Sequence, residues 1–64
     1  MPFITIEVLE GKTIEQKRKA VKLVTEAMVE AFDSDPQKTW IKINEIPRTN
    51  FSTNATLKSD QENK

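Results

Sequence analysis

The chain contains neither cysteine nor histidine, and these two absences close most ordinary routes to catalysis. No thiol nucleophile, disulfide, Cys/His zinc site, Ser-His-Asp triad or redox motif can be assembled from it. No remaining side chain titrates near neutral pH at its ordinary value. An acid-base catalyst built on this sequence therefore needs an unusual base, and neither a metal nor a cofactor is expected. Long hydrophobic runs are also missing, which leaves no transmembrane span and no signal-peptide core, so the cytoplasm is the expected compartment. The Asn-x-Ser/Thr triplets at Asn50 and Asn54 are read as chance matches for the same reason. Ten basic residues balance ten acidic ones, with five of each sign in residues 1 to 32. This pattern has no basic stripe, and neither nucleic acid nor a membrane is an expected partner.

Apolar residues are scarce as well, at 36% of 64 residues. That composition suits one small domain but falls short of a self-sufficient core. Domains of this size close the deficit with disulfides, a structural metal or self-association. Without Cys and His the first two are excluded, so the chain is expected to be a homo-oligomer.

Residues 2 to 9 are rich in β-branched and aromatic side chains, with Ile4, Ile6 and Val8 on one face and Phe3, Thr5, Glu7 and Leu9 on the other. They predict a strand that breaks at Glu10-Gly11-Lys12, where Gly11 supplies a positive φ. Thr13-Ile14-Glu15-Gln16 fits a capping box and starts a helix at Ile14. Val21, Val24, Met28 and Ala31, flanked by Ala20, Ala27 and Phe32, form its apolar stripe. Lys17-Arg18-Lys19 reads as part of a solvated face, with Glu15–Lys19 and Lys22–Glu26 as i,i+4 pairs. Leu23 and Val29 fall off the stripe and suggest contact with a neighbouring copy. The helix should end near Phe32, and Asp35 before Pro36 is suited to cap one short helical turn. Residues 39 to 46 alternate again, with Ile41 and Ile43 opposite Trp40, Lys42, Asn44 and Ile46. The fold class is therefore α/β, a single βαβ unit with parallel strands and a right-handed crossover. Its open sheet face and edges would be closed by dimerisation into a four-stranded sheet covered by two helices. The domain is expected over residues 1–58, and residues 59–64 read as a frayed polar tail.

Pro2 follows Met1, and removal of the methionine would leave a secondary amine at the chain start. An α-amino group has a reference pKa of about 7.7 to 8.0, and desolvation lowers it. Such a nitrogen is a usable general base at neutral pH. Taken by its position alone, Pro2 reads first as a strand-entry residue with no N–H to satisfy.

Pro2 after Met1, the segment Ile6-Glu7-Val8-Leu9-Glu10-Gly11, Glu15-Gln16-Lys17, and Asn44-Glu45-Ile46 followed by Phe51 together resemble the 4-oxalocrotonate tautomerase family, the short-chain branch of the tautomerase superfamily. The likeness runs without gaps from residue 2 to about residue 52. It implies βαβ units paired into dimers and commonly assembled as trimers of dimers, with a dimer or trimer as the simpler alternatives. It also implies a keto-enol tautomerase in which Pro2 is the base, acting on a small unsaturated 2-hydroxy or 2-oxo acid. By the same resemblance Lys12 stands where the family holds the substrate carboxylate with an arginine, and Trp40 stands where a second arginine polarises the substrate carbonyl. Arg48 is the candidate substitute for that second arginine, and Phe51 matches an aromatic wall that lowers the dielectric around the proline. Residues 48 to 56 contain no carboxylate, which disfavours the water-activating dehalogenation of related enzymes. The family's glycine-rich hairpin is replaced by Ser52-Thr53-Asn54-Ala55-Thr56, so a hairpin is harder to form there, although Asn54 can take one positive φ. Two non-enzymatic readings stand beside the tautomerase: an oligomer of the same fold that has lost the arginine pair and its chemistry, and a small dimerising interaction module.

Overall fold

The computed structural model describes residues 2–62; the question of whether Met1 is retained, and the last two residues of the expected tail, lie outside them. Strand β1 (Phe3–Leu9) is followed by helix α1 (Ile14–Phe32), a 3-10 turn at Pro36–Lys38 and strand β2 (Trp40–Ile46). A second 3-10 turn at Arg48–Asn50 leads into a short hairpin of β3 (Ser52–Thr53) and β4 (Thr56–Leu57), and then into helix α2 (Lys58–Glu62). β1 and β2 pair in parallel, with Phe3 opposite Trp40, Ile6 opposite Ile43 and Leu9 opposite Ile46. The expected βαβ unit is present, and its helix boundaries are those that the capping signals predict.

Local chemistry explains those boundaries. The Thr13 side chain accepts from the Gln16 N–H at 3.1 Å, while the Gln16 side chain accepts from the Thr13 N–H at 2.9 Å. These reciprocal bonds satisfy two donors that the first helical turn would otherwise leave open. The helix stops where Asp33 turns left-handed at φ 55 and donates its N–H to the Val29 carbonyl. Asp35 caps the next turn, accepting from the Gln37 N–H at 2.9 Å, with Pro36 at its first position.

α1 lies over the sheet face carrying Ile6, Val8 and Ile43; these residues, and Ile4 and Ile41 in register with them, are half-buried. Lys17 departs from the solvated face assigned to it: its Nζ reaches Glu45 Oε1 of β2 at 2.5 Å. Glu15 pairs with Arg18 rather than with Lys19. The opposite face of the sheet is bare, and the rings of Phe3 and Trp40 meet on it edge to face at 5.3 Å.

Residues 48 to 62 form an arm beyond this unit, and here the sequence reading needs two corrections. The hairpin forms without glycine, because both Asn54 (φ 53) and Ala55 (φ 62) take the left-handed region. The segment expected to fray from Ser59 is instead helical up to Glu62. Its start is tied by the Lys58 N–H, which donates to the Phe51 carbonyl at 2.8 Å.

No described residue is fully buried. The chain exposes 5165 Å², against about 4,200 Å² for a folded monomer of its mass. Its radius of gyration of 15.1 Å exceeds the roughly 10.7 Å of a compact domain of this length. A protomer of this shape has layers but no closed core. Among the described residues no helix is long and apolar enough to cross a membrane.

Candidate active site

The five residues singled out from the sequence divide between the two ends of the parallel sheet. Pro2 enters β1 and is half-buried. Its carbonyl accepts the Trp40 N–H at 3.1 Å, a bond that fixes the head of the ladder. Trp40 and its ring partner Phe3 remain 56% and 70% exposed on the bare face. An indole has one N–H donor and no charge, so the cationic function implied for this position is absent from it.

Lys12, Arg48 and Phe51 belong to the other end. Gly11 turns the chain at φ 107, a conformation that disfavours any residue with a Cβ. Lys12 follows it, exposed, beside the N-cap of α1. The positive end of the helix dipole adds to the ammonium there, so the corner favours an anion. A shallow crevice runs from Lys12 between Ile6, Val8 and Ile43 of the sheet and Gln16 and Ala20 of the helix.

Arg48 fastens this corner. Its N–H donates to Glu10 Oε2 at 2.9 Å, and its guanidinium donates to the Glu10 carbonyl. Glu10 in turn donates its own N–H to the Ile46 carbonyl at 3.0 Å. The hydrogen bond from Lys17 holds the Glu45 carboxyl below its ordinary value; desolvation opposes this, while the Lys17 charge and the Gly11 N–H add to the lowering. The turn that presents Lys12 is therefore held by Arg48 through Glu10, while Lys17 and Glu45 tie α1 to β2. Phe51, 39% exposed, sits three residues beyond Arg48 at the root of the arm.

β1 separates the two groups of residues. From Pro2 to Glu10 the extended chain spans about 26 Å at a rise of 3.3 Å per residue. One protomer therefore brings Pro2 together with Trp40, and Lys12 together with Arg48, but does not bring the first pair to the second. Glu10 and Glu45 escaped sequence reasoning as parts of this corner. Their partners lie 38 and 28 residues away in sequence, and no local spacing signals such pairs.

Comparison with known proteins agrees with this architecture along nearly the whole chain. A family model described as tautomerase enzyme matches residues 2–61. The 2-hydroxymuconate tautomerase of Bacillus subtilis is 37% identical over 62 residues, covering 97% of this chain and 100% of that protein. A 4-oxalocrotonate tautomerase isozyme of Methylibium petroleiphilum superposes with a TM-score of 0.89 at 39% identity, covering 95% of each chain. A heterohexameric 4-oxalocrotonate tautomerase of Chloroflexus aurantiacus superposes with a TM-score of 0.86 at 27% identity, covering 94% of this chain and 97% of that one.

Proposed function

Because the chain belongs to the tautomerase family, we propose that it is an isomerase in which the nitrogen of Pro2 moves a proton between oxygen and carbon of a small unsaturated 2-hydroxy or 2-oxo acid. The observation that carries this reading is the family match beginning at Pro2, in a sequence with no His or Cys to act as base instead. Pro2 is half-buried at the strand head, and removing water from an amine favours its neutral, proton-accepting form. In the ketonisation direction the neutral nitrogen takes the enol proton, the electron pair moves through the conjugated system, and the same nitrogen returns the proton to carbon.

Lys12 holds the substrate carboxylate as a point charge, aided by the adjacent helix N-terminus. Phe51 of a second copy excludes water from the base, and the Trp40 indole offers an apolar wall with one N–H donor. Arg48 supports Lys12 through the Glu10 turn, to which its guanidinium is already bonded. With one lysine and no paired arginines, dicarboxylates should be poorer substrates than monocarboxylic enols. Pro2 and Lys12 serve one substrate only if they come from different copies, since about 26 Å of strand separates them within one chain. We read the assembly as a hexamer built from three dimers, acting in the cytoplasm. The bare sheet face and the 5165 Å² of exposed surface support self-association.

The test is an assay of methionine-processed protein on phenylenolpyruvate and 2-hydroxymuconate. Replacing Pro2 by Ala should lower kcat/KM by about a hundredfold, within the usual contribution of general acid-base catalysis. A sample that retains Met1 should be inactive, because its Pro2 nitrogen is an amide. Equal rates for all three proteins would remove the proline from the mechanism, and rates no higher than the uncatalysed background would favour a non-catalytic oligomer.

A further inference from the structure

Resting on the role given to Phe51 above, we propose that Gln61 is a positioning residue: its side-chain amide staples the β3–β4 hairpin and so sets Phe51 against the catalytic nitrogen of another copy.

The hairpin has little else to hold it. Each strand contributes two residues, pairing Ser52 with Leu57 and Thr53 with Thr56, and all six residues from Ser52 to Leu57 are exposed. Its two-residue turn requires positive φ at both Asn54 and Ala55. Asparagine tolerates that region, whereas the Cβ of alanine is penalised there. A hairpin this short and this strained needs support from outside its own ladder.

Gln61 supplies the support from one point. Its Nε2 lies 3.1 Å from the Thr53 carbonyl, 2.9 Å from Thr53 Oγ1 and 2.9 Å from the Thr56 carbonyl. These acceptors belong to both strands, at the pair that closes the turn. The amide has two hydrogens for three acceptors, so one hydrogen is shared. At the root of the hairpin the Lys58 N–H donates to the Phe51 carbonyl. Residues 58 and 61 are one helical turn apart and share a face of α2. Phe51, the hairpin and α2 therefore form a ring closed at one end by a backbone bond and at the other by the Gln61 side chain. The ring makes up for the glycines that the sequence lacks between residues 52 and 56.

Four variants test the proposal: Phe51→Ala, Gln61→Glu, Gln61→Ala, and Gln61→Ala combined with Ala55→Gly. The readout is the acid limb of the kcat/KM profile against pH on phenylenolpyruvate, at chain concentrations where sizing shows intact assembly. Loss of the aromatic wall lets water reach the base and raises its pKa, so Phe51→Ala should move the limb up by about half a unit or more. Gln61→Glu sets a carboxylate against three acceptor oxygens and should move it in the same direction. Gln61→Ala should do so less, and Ala55→Gly should return that limb toward the wild-type position by relieving the turn. Should Gln61→Glu fail to assemble, the two alanine-based variants decide the matter. A shift for Phe51→Ala with none for the Gln61 variants overturns the positioning role and leaves the reading of Phe51 standing. No shift for Phe51→Ala overturns both. A uniform loss of rate with an unmoved limb, not restored by Ala55→Gly, makes Gln61 a general stability residue and also overturns the proposal.

Discussion

Lys17 and Glu45 join α1 to β2 through a 2.5 Å contact between Nζ and Oε1. The Glu45 pKa is lowered from 4.5 in the folded chain. A lowered carboxyl stabilises the fold above its unfolded value, and that contribution fades as pH falls through the folded value. Glu45→Gln should therefore melt below the wild type at pH 7, with the difference shrinking as pH drops below 4.5. Melting curves of both proteins from pH 7 to pH 3 at one chain concentration would show it.

Ala55 holds a left-handed backbone with a Cβ in the way. Ala55→Gly should stabilise the protein by about 1 kcal/mol, the steric penalty outweighing the larger chain entropy of glycine. Urea unfolding at fixed chain concentration measures the gain, and a destabilised variant would contradict the strain.

Thr13 caps α1 through both halves of a reciprocal pair. Thr13→Ala should cost about 1 kcal/mol, whereas Thr13→Ser should stay within a few tenths. Because the capped turn carries Lys12, the alanine variant should also raise KM more than it lowers kcat.

Lys12 offers a carboxylate a single ammonium. Lys12→Arg should lower KM severalfold by adding a bidentate partner, and Lys12→Ala should raise it by roughly tenfold. Steady-state rates on a monocarboxylic enol separate these outcomes from a change in kcat.

A site that draws Pro2 from one copy and Lys12 from another permits rescue between defective chains. Mixing and reassembling Pro2→Ala protein with Lys12→Ala protein should give activity above that of either alone, because some sites then carry both wild-type residues. Activity no higher than the mean of the two would mean that each site is built from one chain.

The elements that the sequence announced are those coded by neighbours. Thr13 and Gln16 lie three residues apart, Asp35 stands beside Pro36, and the alternation of Ile4, Ile6 and Val8 needs only a strand. The hairpin escaped because the rule demanding glycine at positive φ was overridden by Gln61, which bonds from outside the turn. The tail was misread for a related reason, since polar residues 58 to 62 look like solvent-exposed coil until Lys58 meets the Phe51 carbonyl. Site residues were nameable from family likeness, but their division between the two ends of β1 follows from strand length and pairing. Arg48 shows the same limit: its link to Glu10 crosses 38 residues of sequence.

The missing interior ties catalysis to abundance. If the chain, with no buried residue among those described, completes its core against other copies as proposed, folding and assembly become one process of order higher than first in chain concentration. Dilution then acts as a denaturant, and below the assembly threshold a twofold fall in expression should remove more than half of the activity. Gene dosage in such a protein works as a switch as well as a scale.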